Sequence, residues 1–176
     1  MIEPARVHDI ARLQSIEDAA GEAFRALGMD TVADDDPPSE ATLTEFIRTG
    51  RAWVYTQSGV VCGYLIAFDV DDCTHIEQVS VDPDYSGRGI GAALIEHLES
   101  VARERHRVAL TLTTYRDVPW NGPYYSRLGF VEDPDPSPAL LAIRAHEAEL
   151  GLDAWPRIVM RRAIARSDPS APAPVR

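Results

Sequence analysis

An α/β (α+β) domain is the fold class this chain predicts. Three observations point to it: apolar strands are interleaved with amphipathic helices, two strands close as a hairpin, and one strand, glycine loop, helix, strand run requires a crossover between parallel strands. At 176 residues the chain can hold one domain with a sizeable core and is short for two. We place that domain at residues 1–165 and a disordered tail at residues 166–176, whose Ser, Asp, Pro and Ala residues offer no apolar surface to bury.

The first helix is expected from His8 to Leu27, where Ile10, Leu13, Ile16, Ala20, Ala23, Phe24 and Leu27 recur at three- and four-residue steps before Gly28. It reads as the longest helix of the chain. Asp34-Asp35-Asp36-Pro37-Pro38 is a loop, and Ser39 opens a short second helix ending at Gly50. Ala52 to Thr56 and Val60 to Val70 are rich in β-branched and aromatic residues and form the hairpin around Ser58-Gly59. A third strand, His75 to Val81, runs into the glycine loop. Beyond the loop, Ile90, Leu94, Leu98, Val101 and Ala102 make the apolar stripe of a long helix, and Val108 to Tyr115 is the strand that completes the crossover. Trp120 to Leu128 is a short helix stopped by Gly129, and Phe130 to Glu132 begins another strand. Ser137 caps a helix carrying Leu140, Leu141, Ile143 and Leu150 that stops at Gly151, and Pro156 to Ile164 is the last strand.

The run Val81-Asp82-Pro83-Asp84-Tyr85-Ser86-Gly87-Arg88-Gly89-Ile90-Gly91-Ala92 carries the first functional signal. Glycines after a strand let backbone N–H groups approach a phosphate, and the helix start behind them adds unpaired donors and a partial positive charge. The spacing is one residue short of the dinucleotide fingerprint, and Gly-Lys-Ser/Thr is absent, so neither that fingerprint nor a kinase-type P-loop is present.

The net charge of −11, from 17 basic and 28 acidic side chains, argues against nucleic acid. It suits a cationic or amine substrate, or serves solubility alone. No apolar run is long enough to span a membrane, and Met1 to Arg6 lacks the apolar core of a secretory signal, so a cytoplasmic protein with no membrane partner is expected. Cys62 and Cys73 show neither a disulfide framework nor paired metal spacing, and no metal is expected.

Strand, glycine loop and crossover, followed by Tyr124-Tyr125-Ser126-Arg127-Leu128-Gly129-Phe130, together resemble the GNAT superfamily of acyl-CoA-dependent N-acetyltransferases over about residues 3 to 164. The resemblance implies a GNAT-like central mixed, mostly antiparallel sheet of six to seven strands, with a splayed central parallel pair and helices on both faces. It implies acetyl-CoA as co-substrate. The family's loop motif, Arg/Gln-x-x-Gly-x-Gly/Ala, falls on Ser86, Gly89 and Gly91. Ser86 departs from it by lacking the long side chain, which leaves the backbone cradle of Gly87, Arg88, Gly89, Ile90, Gly91 and Ala92. Arg88 reads either as a phosphate ligand or as a solvated loop arginine. The implied splay lies between the strands His75–Val81 and Val108–Tyr115. There the pantetheine arm would pair with Val79 and Val81, and an N–H near Val79 would meet the thioester carbonyl.

An amine attacks a thioester only when neutral, so one group must take its proton and another must return one to the leaving thiolate. Tyr125 matches the family position whose phenol serves as the acid. Glu77 is the proton acceptor best placed on the strand, or else a carboxylate solvated or paired with an arginine. Strict alternation puts Glu77, Val79 and Val81 on one face and Ile76, Gln78 and Ser80 on the other. His75 reads as a surface histidine. Asn121 either holds the pantetheine or an ordered water, as the resemblance implies, or caps its helix, and Trp120 packs or lines the groove. Asp34, Asp35 and Asp36 either attract an ammonium group or form a solvated loop.

The expected activity is transfer of an acetyl group from acetyl-CoA to a primary amine of a small molecule or peptide, by direct attack in a ternary complex. A non-catalytic acyl-CoA-binding sensor is the alternative, to which Ser86 is suited. A thiol nucleophile at Cys62 or Cys73 lacks a histidine and an acid at recognisable spacing. A homodimer is suggested by fold analogy alone.

Overall fold

One sheet is built from β1 (Ile2–Pro4), β2 (Ala52–Gln57), β3 (Val60–Val70), β4 (Cys73–Val81), β5 (Ala109–Tyr115), β6 (Val131–Glu132) and β7 (Arg157–Ala163). The spatial order is β1-β2-β3-β4-β5-β7-β6. Every neighbouring pair is antiparallel except β4 with β5, which the intervening helix crossover makes parallel. The structure, a computed structural model, describes residues 1–165. The tail expected at residues 166–176 lies outside the described residues. β1 has no counterpart in the sequence reading, because a three-residue strand containing a proline carries no periodic signal.

The helices are α1 (Ile10–Gly21), α2 (Asp30–Ala33), α3 (Glu40–Arg48), α4 (Ile90–Glu104), α5 (Gly122–Arg127) and α6 (Pro138–Glu149). Ser39 and Ser137 cap α3 and α6, each hydroxyl accepting from the N–H three residues on. The long first helix expected over His8 to Leu27 is interrupted: α1 is flanked by 3₁₀ turns at Val7–Asp9 and Glu22–Leu27. The apolar spacing continues through both, but the tighter winding begins just after Gly21, a weak helix former. The longest helix is therefore α4, with 15 residues.

Two apolar layers sandwich the sheet. On one face α4 and α5 bury Ile90, Leu94, Leu98 and Tyr125 against Leu65, Ile76, Leu110, Leu112 and Met160. On the other, α1 and α3 bury Leu13, Ile16 and Leu43 against Val54, Tyr64 and Ile66, while α6 sets Leu140 against Val70 and Val159. Each such side chain contributes about 1.5–3 kcal/mol, so the strands between the layers form a stiff frame. No helix among the described residues is long and apolar enough to cross a membrane.

Candidate active site

The parallel pair at the centre of the sheet is short. Only Thr74, His75 and Ile76 of β4 pair with Leu110, Thr111 and Leu112 of β5. Beyond them the strands diverge, and β5 keeps its antiparallel partner β7 along its whole length. A bulge marks the point of divergence: Ile66 on β3 pairs with Gln78 and Ala67 with Ile76, leaving Glu77 without a partner. An extra residue bends its strand and increases the local twist.

The bulge also corrects the expected alternation. Ile76 packs with Val79 and Val81 against the α4 layer. Gln78 and Ser80 face α1 and donate to Glu17 at 2.7 and 2.6 Å. The side chain of Glu77 leaves Val79 and Val81 and lies on the face that carries α1 and α6, where Glu147, Arg157 and His146 act on its charge.

Backbone direction follows from the same pairing. The Asp82 N–H donates to the Cys62 carbonyl at 2.9 Å. Antiparallel bonding repeats every second residue, so Ser80 and Gln78 also turn their backbone groups to β3. Val79 and Val81 turn theirs into the gap. The splay thus presents free N–H and C=O groups where the resemblance to GNAT enzymes implies a pantetheine arm.

The glycine loop follows directly. Asp82 anchors its start by accepting from the Asp84 N–H at 2.9 Å and pairing with Arg12 of α1. Gly87 and Gly89 adopt φ of 72° and 76°, with open space where a side chain would stand. These left-handed conformations favour glycine and close the loop ahead of α4. Gly91 is different, because a Cβ there would lie 2.7 Å from the Tyr124 hydroxyl. A side chain there would push the Tyr124 hydroxyl aside. Ser86 is exposed. The Arg88 guanidinium sits 4.9 Å from the centre of the Tyr85 ring and donates to the Asp84 carbonyl.

Tyr125 stands on α5 with 9% of its surface exposed, edge-on to Tyr124 at 5.3 Å and to Phe130 at 5.8 Å. Burial pushes its phenol well above the ordinary tyrosine range, helped by the neighbouring Tyr124 and Glu17. Its proton is therefore held at neutral pH. The start of α5 is clamped to the end of β5, since a Cβ on Gly122 would lie 2.3 Å from the Arg116 carbonyl oxygen. Asn121 makes no side-chain cap, and its Oδ1 is buried with no partner among the described residues. The capping reading of Asn121 therefore fails.

Around the gap, carboxylates take distinct roles. Glu77 is open to water although protein surrounds it on several sides. Burial by those surroundings raises its pKa, as does the charge of Glu147, while Arg157 and His146 oppose the rise. Water reaches the carboxylate and screens these charges. Glu17 was not singled out from the sequence. It accepts from Tyr64, Gln78 and Ser80, and burial nonetheless raises its pKa. Glu147 is bound by Thr113, Arg144 and Arg157. Although burial alone would raise its pKa, Arg157 leads the contacts that hold it below the ordinary range.

His75 is not a surface residue: it is 1% exposed, with Nδ1 2.9 Å from the Thr111 hydroxyl. Nor do Asp34, Asp35 and Asp36 act as one cluster, since Arg25 binds Asp34 at 2.6 Å. Cys62 and Cys73 are buried free thiols whose pKa values burial raises, which suits packing and not nucleophilic attack. Among the described residues no three or more His, Cys, Asp or Glu side chains gather as a metal site.

Known proteins share this fold. An uncharacterized N-acetyltransferase of Methanocaldococcus jannaschii, MJ1207, is 34% identical over 71 residues, 40% of this chain and 31% of that one. A glucosamine 6-phosphate N-acetyltransferase of Trypanosoma brucei brucei is 35% identical over 79 residues, 45% of this chain and 43% of that one. The matched region thus spans less than half the length of these curated relatives. In fold, Rv2747 from Mycobacterium tuberculosis in complex with CoA has a TM-score of 0.70 at 20% identity, covering 94% of this chain and 99% of that one. Residues 13–130 match the acetyltransferase (GNAT) family, and the chain belongs to that family.

Proposed function

We propose that this chain moves an acetyl group from acetyl-CoA to a primary amine by direct attack in a ternary complex. The observation that carries the reading is the splay. It leaves the backbone groups of Val79 and Val81 unpaired on the strand that runs into the glycine turn ahead of α4. The pyrophosphate would lie on the N–H groups of Gly87 to Ala92 at the start of α4, with Ser86 and Arg88 at the rim. The pantetheine amides would pair with Val79 and Val81, and Asn121 Oδ1 would accept from that arm or from a bound water.

The neutral amine nitrogen attacks the thioester carbon, and a C–N bond forms as the carbonyl oxygen takes up the electron pair. The Val79 N–H stabilises that oxyanion. Glu77 accepts the amine proton directly or through water, which its exposed position on the acceptor side allows. The C–S bond then breaks, and Tyr125 gives its proton to the thiolate and regains one from solvent.

Release of CoA thiol from acetyl-CoA, measured across a panel of amines, tests the reading. Tyr125→Phe should lower kcat by about 100-fold with the KM for acetyl-CoA unchanged. Equal turnover in the variant removes Tyr125 as the acid. Tight calorimetric binding of acetyl-CoA without thiol release for any amine replaces catalysis with the sensor reading, which Ser86 favours.

A further inference from the structure

On the acceptor side of the splay, beside the open end of β5, lies a half-open cavity of about 190 Å³ walled by Leu27, Met29, Tyr115, Val118 and Trp155, with Asp117 at its rim. We infer that this cavity takes the side group of the acceptor, and that the acceptor is a primary amine bearing one apolar group and no anionic group beside the nitrogen. This rests on the acetyl-transfer reading and adds its substrate class.

Position is the first support. Tyr115 lies three residues past Leu112, the last paired residue of β5, as Val79 lies three past Ile76 on β4. The cavity therefore opens across the gap from the backbone group expected to hold the oxyanion. Tyr115 also stands on the face of Glu77 and Glu147, since Arg157, bound to Glu147, lies over its ring at 4.4 Å. That face is opposite the α4 layer that carries the glycine turn, so donor and acceptor enter from different sides.

The walls decide the chemistry. Met29, Tyr115 and Val118 are at most 6% exposed, and the Phe24 ring braces Tyr115 edge-on at 5.8 Å. An apolar cavity of about 150 Å³ accepts one benzene ring, and drug-sized ligands need about 300 Å³ or more. A volume of about 190 Å³ therefore fits a single ring or a branched alkyl group.

Charge excludes anions. The charged side chain in the lining is Asp117, and around Tyr115 the charge of Arg157 is felt first, opposed by Asp35 and Glu147. Arg157 is already taken by Glu147, and Arg25 by Glu22, Asp30 and Asp34. A carboxylate or phosphate on the acceptor would be desolvated there beside Asp117, with Arg157 already neutralised by Glu147. The Tyr115 hydroxyl is buried within reach of Arg157 but makes no well-formed hydrogen bond among the described residues, and it can serve an amide carbonyl or the amine itself. An arylalkylamine and the N-terminal residue of a peptide share this chemistry, because the peptide bond replaces the carboxylate.

The test measures thiol release from acetyl-CoA with 2-phenylethylamine, phenylalaninamide, phenylalanine and glucosamine 6-phosphate. The first two should exceed the last two in kcat/KM by about 100-fold, and the ratio between them separates a free amine from a peptide terminus. Leu27 is 44% exposed, so Leu27→Arg places a cation at the mouth without disturbing the core. It should raise the KM for 2-phenylethylamine about tenfold and narrow the gap to phenylalanine, leaving the KM for acetyl-CoA unchanged. Turnover of the anionic amines equal to that of the apolar ones overturns the pocket while acetyl transfer stands. If no amine releases thiol, acetyl transfer fails and the cavity is read by Trp155 fluorescence with CoA present. A saturable change on adding 2-phenylethylamine that Leu27→Arg and Trp155→Phe both abolish supports it, and no saturable change overturns it.

Discussion

The two ends of the β4–β5 pair behave differently although the same strands build both. At the closed end Ile76 pairs with Leu112, and His75 is sealed against Thr111. Burial lowers the His75 pKa to about 4, against a small opposing effect of Glu147, so the ring is neutral at pH 7. At the open end, one residue further, Glu77 is exposed and its pKa moves upward. Val79 and Val81 keep backbone groups that neither β3 nor β5 pairs, and Tyr125 is buried in the α4 layer. A single bulged residue marks where a strand pair passes from a half that holds the fold to a half whose facing backbone groups stay unpaired.

The largest expected effect is at the closed end and concerns stability. A drop from 6.5 to about 4 in the folded state, at about 1.36 kcal/mol per unit, is worth about 3 kcal/mol. The unfolded chain takes a proton on His75 below pH 6.5 and the folded one does not until about pH 4, so stability falls as pH falls through that window. Urea unfolding at several pH values should show a steeper fall in wild type than in His75→Leu, where Glu147 and the other paired carboxylates alone remain. Identical slopes would mean that His75 is not the neutral tie described.

At the open end the effect should fall on rate. Glu77→Gln should lower kcat/KM by about 100-fold near neutral pH, with stability changed by less than about 0.5 kcal/mol. Because the Glu77 pKa is raised, its acid limb should lie above the ordinary carboxylate range and vanish in the variant. Persistence of that limb in a pH–rate profile would return Glu77 to a surface role.

Deleting Glu77 tests the boundary itself. Without the extra residue, Ile76 and Gln78 alternate regularly and every other β4 side chain keeps its face. The straightened strand should close on β5 and weaken acetyl-CoA by about tenfold or more, about 1.4 kcal/mol. Calorimetry showing unchanged affinity would separate the bulge from the splay. The smallest effect is expected at Gly89→Ala. A left-handed alanine costs about 1–2 kcal/mol, shared between thermal stability and coenzyme affinity. A variant matching wild type in both would leave the loop with no need for its φ of 76°.

Much of this architecture is legible along the chain. The α4 stripe, the hairpin and the caps Ser39 and Ser137 depend on neighbours a few residues apart, and all appear where periodicity and capping chemistry put them. The turn at Gly87 and Gly89 and the position of Tyr125 are read from short motifs. Glu17 resisted reading because its partners Tyr64, Gln78 and Ser80 come from two distant strands. His75 resisted because alternation cannot say that its face is covered. The face of Glu77 was misassigned since a bulge is a property of two strands in register, and only one was being read.

Sequence by itself determined the order of the longer elements, the crossover that makes β4 and β5 parallel, and a glycine turn ahead of a helix, because those follow from local conformational preference and chain connectivity, whereas the short β1 and α2 carry too little pattern to read. Only the tertiary structure decided where that pair stops pairing, which carboxylate meets water, and that an apolar cavity stands beside Tyr115. Each of those depends on groups far apart in the chain being brought within contact distance, and on water being excluded from some of them and left on others.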